Sequence, residues 1–353
     1  MKLVIQNHNI YPFASGSQIV TGGAERQQWL LARALVKYGH EVVVYSLAND
    51  AKEMQKIEGV TFKWMTPLSP IFAWPRIASV EKADWWYWRG QDYYLGYLGL
   101  ITRLSSTRLL FACAFDTDCI PFQALTRRKY LWIFYALGLL LSTRILVQHM
   151  GQFNLLCPWL QKKARLVPSL AGDAAPIANR ADYVAWVAVL REPKRPHLVA
   201  EIARQLPNVR FVVCGSASTH RTSEGYSKKA MQLLRSCPNI EYRGQVSPAE
   251  AQSVIRNAGL LLSTSNIEGF PNTFLQAWEE GVPVVSLELD PDGVIDKYKL
   301  GKVSKTIEEC VVSIRQLLDD RVLNNLLGAN GIEYARNFHS EDSMVAHLLA
   351  ALA

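Results

Sequence analysis

The sequence predicts an α/β protein with two doubly wound parallel sheets. Short apolar runs alternate with segments of helical periodicity, which is the pattern of βαβ units. The same alternation starts again in the second half of the chain. A length of 353 residues also exceeds the usual limit of a single hydrophobic core. Two Rossmann-like domains are therefore expected.

The first half opens with an apolar run at Lys2–Gln6, and the pair Gly22 and Gly23 precedes a segment of helical periodicity that stops before Gly39. A strand, a glycine turn and a helix are expected here. Further strands are predicted at 42–45, 61–64, 85–88, 109–112 and 145–148. The apolar stretch 130–141 is shorter than the roughly 20 residues that span a bilayer, which favours a buried helix.

The second half repeats the alternation. Its predicted strands are 183–189, 210–214, 240–243 and 260–263, and its predicted helices are 196–205, 227–235 and 248–257. Between the halves lies the stretch 168–176, whose Pro, Gly and Ala content favours a linker. The domains are accordingly predicted at 1–170 and 171–340.

Composition excludes several classes of protein. With 49% hydrophobic and 20% charged residues, the chain is neither disordered nor fibrous. The six cysteines are scattered, without a C-x-x-C pair or a histidine at metal-binding spacing, so neither a disulfide framework nor a zinc site is expected. The N-terminal residues lack the apolar core of a signal peptide. These features favour a cytoplasmic location.

The net charge of +7 suits nucleic acid, an anionic membrane or a phosphorylated substrate. No RRM, KH or zinc-knuckle pattern is present, so no nucleic-acid partner is expected. The basic stretch 126–129 directly precedes the aromatic-rich stretch 130–135, a combination that an interfacial membrane contact would use. The other interpretation is a solvated helix start that leads into a buried helix. The stretch 126–135 is thus a candidate for peripheral membrane contact.

The most informative segment is 268–286, in which an acidic loop rich in Gly and Pro leads into a helix start and then an apolar strand. The N-terminus of such a helix presents backbone N–H groups and a partial positive charge, which suit a phosphate. A carboxylate at the same turn, here Glu268, suits sugar hydroxyls instead. The segment therefore predicts a ligand-binding loop, helix and strand.

This segment resembles the signature of the retaining glycosyltransferases of the GT-B fold, family 4. In that family two Glu residues separated by seven residues flank the nucleotide sugar; here they correspond to Glu268 and Gln276. The stretch 286–295 is similar to that of bacterial surface-polysaccharide members. The resemblance runs over nearly the whole chain. It implies an N-terminal acceptor domain that faces a C-terminal donor domain across a cleft, with a final helix at 341–353 packing back on the first domain.

The resemblance also implies a donor site in the second domain. Glu268 would contact sugar hydroxyls near the anomeric carbon, Gln276 would bond the ribose without a charge, and Lys194 would hold the diphosphate. Two solvated cations at a helix start are the other interpretation of this basic stretch. The expected backbone contacts to the diphosphate come from Phe270, Asn272 and Thr273. The family's Arg position is Val189, so Arg191 or Arg195 is expected to substitute for it.

In the first domain, the family's Gly-Gly-x-Glu motif corresponds to Gly22, Gly23 and the acid two residues later, and in the family this loop faces the donor diphosphate. A simple turn is the other interpretation. On the acceptor side, Asp116 lies in a stretch similar to the His-Asp-Thr-Asp of related enzymes, with Phe115 in place of the His. An Asp at a strand end caps a helix or forms a turn about as often as it acts in catalysis. Arg89 matches an Arg-Gly at another strand end.

The expected reaction is transfer of a hexosyl group from a nucleoside diphosphate sugar of the UDP or GDP type to an acceptor hydroxyl, with retention and without a metal. Glu268, Asp116 and Lys194 are the candidate catalytic residues. The resemblance implies a glycan or lipid-linked acceptor at the inner face of the cell membrane.

Three alternatives stay open. A catalytically impaired nucleotide-sugar-binding partner of another transferase fits the departures at Val189, Gln276 and Phe115. A GT-B epimerase or phosphorylase would use other residues, and the cofactor lysine signature of a phosphorylase is not found. A membrane-surface adaptor built around 126–135 is the third.

Overall fold

The computed structural model describes residues 1–16, 22–47, 54–65, 70–125, 129–172, 180–218 and 224–353. Residues 126–128 of the candidate membrane stretch and residues 173–176 of the expected linker lie outside these ranges. The chain divides into two compact units. The first unit comprises Met1–Leu170 and Glu341–Ala353, and the second comprises Ala171–Ser340.

The first unit is built on an eight-stranded sheet. Its strands are β1 (Lys2–Gln6), β2 (Glu41–Leu47), β3 (Gln55–Ile57), β4 (Val60–Met65), β5 (Trp85–Arg89), β6 (Arg108–Ala112), β7 (Arg144–Val147) and β8 (Ala164–Leu166). They lie in the order β3-β4-β2-β1-β5-β6-β7-β8. Only the β3–β4 pair is antiparallel among the described strands of this sheet. The chain first adds strands on one side of β1 and then adds strands on its other side, as in doubly wound folds.

Helices cover both faces of this sheet, because alternate residues of each strand point to opposite sides. The helices are α1 (Ile10–Ala14), α2 (Gly23–Lys37), α3 (Pro70–Glu81), α4 (Leu95–Leu104), α5 (Pro121–Ala124), α6 (Trp132–Leu141), α7 (Met150–Leu155) and α8 (Pro158–Gln161). Trp86 belongs to the core beneath α3, α4 and α6. Its neighbours Trp85 and Tyr87 belong to the core beneath α2.

The second unit has a six-stranded sheet in which every described strand pair is parallel. Its strands are β9 (Tyr183–Val187), β10 (Arg210–Cys214), β11 (Ile240–Gly244), β12 (Leu260–Ser263), β13 (Val284–Ser286) and β14 (Gly301–Val303), in the order β11-β10-β9-β12-β13-β14. Its helices are α9 (Pro196–Gln205), α10 (Glu224–Arg235), α11 (Pro248–Arg256), α12 (Asn272–Glu279), α13 (Val294–Tyr298), α14 (Ile307–Asp319) and α15 (Arg321–His339).

The last helix, α16 (Glu341–Leu352), belongs to the first unit. Its residues Met344, Val345 and Leu348 are buried in the core beneath α2. Arg144 of β7 donates a hydrogen bond from Nε to the carbonyl oxygen of Ala351, at 2.9 Å. The helix is therefore held to its unit by both apolar packing and a polar contact.

The prediction of two parallel α/β sheets is confirmed. Strands β1, β10 and β12 and helix α9 match their predicted bounds, and the other predicted elements differ by three residues or fewer at either end. Strands β3, β8 and β14 were not predicted; they lie at sheet edges and have three residues each. A strand of that length is too short to show a periodic pattern.

Residues 132–141 of the stretch 130–141 form α6, and the prediction that this helix is buried was wrong. Tyr135, Gly138 and Leu139 are buried, whereas Ile133 and Phe134 are 60% and 53% exposed. The reason is that α6 lies in the outer layer of the unit, where a helix can bury only the side that faces its neighbours. None of the helices among the described residues combines the length and the apolar character that crossing a bilayer requires.

Candidate active site

Two neighbouring strands of the second unit bring the predicted donor residues together. β9 and β12 pair in parallel, so their carboxyl ends lie at the same edge of the sheet. A short 3₁₀ helix that ends at Lys194 follows β9, and the loop that contains Glu268 follows β12. Lys194 Nζ and Glu268 Oε1 form an ion pair. The fold thus places two of the three candidate catalytic residues in contact.

Thr264 connects the two loops. This residue is fully buried directly after β12. Its hydroxyl donates to the carbonyl oxygen of Lys194 at 2.6 Å and accepts from Trp186 Nε1 at 3.0 Å. Its own carbonyl oxygen accepts from Arg195 Nε at 2.6 Å. Thr264 was not among the predicted site residues, although its place directly after a short, fully buried strand was the available signal.

The Lys194 side chain is largely buried and has charged neighbours. Its side chain is 16% exposed and that of Glu268 is 9% exposed. Burial, together with the neighbouring Arg191 guanidinium, lowers the pKa of Lys194 to about 7. The Glu268 carboxylate opposes this shift because it stabilises the ammonium form. Burial also lowers the pKa of Arg191. The interpretation of Lys194 as a solvated cation is therefore wrong.

Arg191 and Arg195, which are predicted to substitute for the cation that the family has at the position of Val189, have different surroundings. Arg195 has a left-handed backbone conformation, with φ of 47°, and its Nη1 donates to Glu288 Oε1 at 2.8 Å. That contact directs the Arg195 guanidinium to a different carboxylate. Arg191 instead lies close enough to Lys194 for its charge to lower the lysine pKa.

The loop that follows Glu268 leads into α12. Pro271 is the N-cap residue and makes no side-chain hydrogen bond to the first turn, which begins with Asn272 and Thr273. The Phe270 side chain is buried and packs edge-on against Trp278, with ring centroids 6.2 Å apart. Any donor contact from Phe270 must therefore come from its backbone, as predicted for this loop.

Gln276 lies on the next turn of α12, where its side chain joins a polar network. Its Nε2 donates to Gln252 Oε1 of α11 at 2.8 Å. Gln252 Nε2 donates in turn to Glu280 Oε1 at 2.9 Å and to Glu279 Oε1 at 3.2 Å. Arg256 pairs with Glu280 at 2.8 Å. A neutral amide at 276 therefore avoids a third carboxylate beside two buried ones.

In the first unit, Asp116 forms a pair with His149. β6 and β7 are parallel neighbours, and each of these residues follows the carboxyl end of one of them. Asp116 Oδ1 lies 2.9 Å from His149 Nε2, and the side chains are 31% and 8% exposed. His149 was not among the predicted site residues. Its signal was a polar pair, Gln148 and His149, directly after the apolar strand β7.

Asp118 has a structural role that Asp116 does not share. Its carboxylate is fully buried and accepts hydrogen bonds from the backbone N–H groups of Ala114 and Phe115, at 2.7 and 3.0 Å. Burial raises the pKa of Asp118 to about 6. The helix-capping interpretation thus describes Asp118, and the half-exposed Asp116 keeps its place as the acceptor-side candidate.

Arg89 lies at the end of β5 and lines a small cavity of the first unit with Gln27, Tyr87 and Gln148. Its Nη1 donates to the Tyr87 hydroxyl at 3.3 Å. The cavity lies where β5, β6 and β7 end, which is the edge at which open α/β sheets bind ligands.

Gly22 is the N-cap residue of α2 and Gly23 is its first residue. One acidic side chain already accepts a hydrogen bond from this helix start. The Gly22 N–H donates to Glu25 Oε2 at 2.9 Å. A Cβ at Gly22 would lie 2.8 Å from the same oxygen, which is the end of a flexible side chain and could move aside at little cost. Residues 17–21, which precede the pair, lie outside the described ranges. Contact between this turn and a donor diphosphate stays a prediction.

Among the described residues, no group of three or more His, Cys, Asp and Glu side chains is arranged to hold a metal ion. Asp290, in the stretch similar to surface-polysaccharide enzymes, accepts a hydrogen bond from the Ile295 N–H at 2.8 Å. Its carboxylate therefore caps α13.

Comparison with known proteins gives this site a family context. Residues 173–336 match the family model of glycosyl transferases group 1. D-inositol 3-phosphate glycosyltransferase of Corynebacterium efficiens is 28% identical over 170 residues, which make up 45% of this chain. The match spans only 39% of that relative's length. The family-model match thus lies within the second unit.

Solved structures match over the full length of the chain. Sucrose-phosphate synthase of Thermosynechococcus elongatus has a TM-score of 0.75 at 13% identity, covering 99% of this chain and 98% of its own. HepE of Anabaena, solved in complex with UDP and glucose, also has a TM-score of 0.75 at 13% identity, covering 100% and 99%. These matches confirm the predicted fold, with two Rossmann-like domains of the GT-B type.

Proposed function

We propose that this chain is a group 1 glycosyltransferase that transfers a hexosyl group from a nucleoside diphosphate sugar to an acceptor hydroxyl. The observation that carries the proposal is the contact between Lys194 and Glu268 at the adjoining ends of β9 and β12. This contact lies within the residues that match the group 1 family model. A buried cation beside a carboxylate supplies one partner for a diphosphate and one for sugar hydroxyls.

On donor binding, the diphosphate would take the place of Glu268 as the partner of Lys194. Arg191 adds a second cation, and the first turn of α12 adds backbone N–H groups and the positive end of its dipole. These groups are preorganised for the charge that gathers on the departing diphosphate, which is where electrostatic catalysis acts most strongly. Glu268, released from Lys194, would then accept hydrogen bonds from sugar hydroxyls near the anomeric carbon.

The proposed reaction proceeds with retention of configuration and without a metal. The bond between the anomeric carbon and the diphosphate oxygen breaks first, and both of its electrons leave with the diphosphate. The acceptor oxygen then bonds to the anomeric carbon on the same face and loses its proton. Arg191, Lys194 and the α12 dipole would stabilise the leaving group, a role that a metal ion has in other transferases. Retention rests on the resemblance to family 4.

We place the acceptor on the first unit, at Asp116. Its carboxylate is half-exposed and is oriented by the largely buried His149. Such a pair can accept the proton of an attacking hydroxyl. The similarity of 286–295 to surface-polysaccharide enzymes supports a glycan or lipid-linked acceptor and, with it, a location at the cytoplasmic face of the cell membrane. UDP and GDP sugars are the proposed donors, and HepE was solved with UDP and glucose.

The test is a calorimetric and thermal-shift screen of the purified protein against UDP, GDP, ADP and dTDP sugars, with and without EDTA. Donor hydrolysis is then measured for every ligand that binds. The expected result is EDTA-insensitive binding of one nucleotide sugar together with slow hydrolysis. The absence of binding by any nucleotide sugar would contradict the proposal, and EDTA-sensitive turnover would contradict its metal-free mechanism.

A second candidate function is a nucleotide-sugar-binding partner without catalytic activity. It is favoured by Gln276, whose amide is bonded to Gln252 and carries no charge at the position where family 4 has its second Glu. Binding of a nucleotide sugar without turnover, even with lipid-linked acceptors present, would support this candidate over the transferase.

A further inference from the structure

Two neighbouring helices of the first unit carry a cluster of exposed apolar side chains. We call this cluster the α4–α6 face, and it comprises Leu100, Leu104, Trp132, Ile133, Phe134 and Leu140. Leu104 is 90% exposed, and Tyr130, directly before α6, is 73% exposed. Single exposed apolar residues are common, but a contiguous group of this kind marks a surface that binds something.

Three glycines join the two helices into one continuous surface. A Cβ at Gly96 of α4 would lie 2.4 Å from the carbonyl oxygen of Phe134, and a Cβ at Gly99 would lie 2.7 Å from the Leu141 Cβ. A Cβ at Gly138 of α6 would lie 2.5 Å from the Leu95 side chain. The two helices are therefore packed closely against each other at these glycines.

Basic residues border this face. Lys163 donates from Nζ to the carbonyl oxygens of Leu140 and, at 3.0 Å, of Ser142, at the end of α6. Arg103, in the last turn of α4, is close enough to Lys163 for its charge to lower the lysine pKa. Lys162 is exposed beside them. Three cations thus lie at the end of the apolar surface formed by α4 and α6.

The surrounding sequence has an unusual charge pattern. From residue 119 to residue 172 there is no Asp or Glu, whereas there are seven Lys or Arg residues. A protein partner presents a mixture of charges, but the cytoplasmic surface of a membrane presents a continuous negative potential that attracts such a segment. Tyr130 and Trp132 add aromatic rings of the kind that settle at the boundary between water and lipid.

We propose that the α4–α6 face binds the surface of an anionic lipid bilayer, with its apolar side chains inserted at the headgroup level and with Arg103, Lys162 and Lys163 against the lipid phosphates. The face is linked to the acceptor-side residues within the first unit. Tyr135, on the buried side of α6, donates to the carbonyl oxygen of Asp118 at 2.8 Å, in the same short 3₁₀ helix as Asp116. Membrane binding would thus bring this turn close to a lipid-linked acceptor.

This link rests on the proposed lipid-linked acceptor. Binding of the α4–α6 face to membranes, however, is tested without any acceptor. The full-length protein is sedimented with vesicles of phosphatidylcholine alone and with vesicles that contain increasing phosphatidylglycerol. We expect binding to the anionic vesicles only, and weaker binding as salt screens the charges. Equal binding to both kinds of vesicle would overturn the electrostatic part, and no binding to either would overturn the whole proposal.

The variant Ile133→Glu/Phe134→Glu places two carboxylates on the face. We expect its affinity for anionic vesicles to fall at least about tenfold, because apolar insertion is lost and charge repulsion is added. The matched control is Val322→Glu/Leu326→Glu on α15, where the replaced side chains are 81% and 54% exposed in the second unit. The control is expected to bind as the wild type does. Equal losses in both variants would overturn the assignment to the α4–α6 face.

A measurement on the wild-type chain keeps the proposal falsifiable if the variant fails to fold. Anionic vesicles should slow amide hydrogen exchange in residues 130–141, and unchanged exchange there would overturn the proposal. A dimer that dissociates in the Ile133→Glu/Phe134→Glu variant, found by light scattering without lipid, would also overturn it by making the face a protein interface. Donor hydrolysis in lipid-free buffer is measured in parallel. A protein that binds vesicles but does not hydrolyse the donor would contradict the proposed function and leave the membrane proposal standing.

Discussion

Lys194 and Glu268 form an ion pair across two loops that are far apart in sequence and adjacent in the sheet. In this arrangement the carboxylate occupies the position beside the cation where a diphosphate would bind. The pair therefore orients the lysine before the donor arrives. Lys194 and Glu268 have separable roles, because removing one of them leaves only the other to contact the donor.

The first prediction concerns Glu268. Replacement by Ala is expected to lower transfer by about 10²- to 10³-fold, the range found when one preorganised polar group is removed from an active site. Binding of the bare nucleoside diphosphate should be retained or tightened, because Lys194 loses a competing partner. Calorimetry with UDP or GDP and initial-rate assays measure the two effects. Glu250→Ala, at an exposed residue of α11, is the control, and wild-type activity in Glu268→Ala would sink the site assignment.

The second prediction is a pH dependence that comes from Lys194. Its pKa is lowered to about 7 by burial and by Arg191, so the ammonium that binds the diphosphate is lost as the pH rises through that value. Affinity for an intact nucleotide sugar should therefore fall by up to about tenfold per pH unit above 7. Lys194→Arg should flatten the profile because arginine stays charged. A profile that is unchanged in Lys194→Arg would assign the titration to another group.

The third prediction concerns Thr264, which joins the two loops. Thr264→Val removes the hydroxyl that bonds both Lys194 and Trp186, and it leaves a buried carbonyl and an indole N–H without that partner. The free energy of unfolding should drop by about 1–3 kcal/mol, and the KM for the donor should rise. Thr264→Ser, which keeps the hydroxyl, should restore most of both. Denaturant unfolding measures the stability, and donor kinetics measure the KM. If Thr264→Ser is as impaired as Thr264→Val, the loss does not come from the hydrogen bonds of the hydroxyl.

The fourth prediction separates Asp116 from Asp118. Asp116→Asn should lower transfer to an acceptor by about 10²-fold or more through loss of a general base, while donor binding and stability stay unchanged. Asp118→Ala should instead cost about 1–3 kcal/mol of stability, because two backbone N–H groups lose their acceptor. Thermal unfolding and transfer assays on both variants give the comparison. A destabilised Asp116→Asn would reassign that carboxylate to a structural role.

The elements and site residues that could be predicted are those for which a sequence pattern and a strand end coincide. Both sheets could be predicted because their strands are apolar runs bounded by turns, and Glu268 and Lys194 stood out because each lies in a family-like motif after such a run. Thr264 and His149 lie at equivalent strand ends but in no motif, so only their contacts identify them. The exposed side of α6 was missed for a different reason. An apolar segment does not indicate which layer of the fold it joins, and that layer decides which side is buried.

The last prediction tests Gln276, where the chain departs from family 4. Gln276→Glu places a carboxylate in the network of Gln252, whose Nε2 bonds the buried carboxylates of Glu279 and Glu280. The free energy of unfolding should fall by about 1 kcal/mol, as expected for one unfavourable charge contact in a partly buried network. Donor affinity should be at least that of the wild type, because a carboxylate is the stronger acceptor for ribose hydroxyls. Gln276→Met is the uncharged control and should bind the donor more weakly. If Gln276→Met binds the donor as tightly as the wild type, Gln276 does not contact the ribose and serves only the network with Gln252.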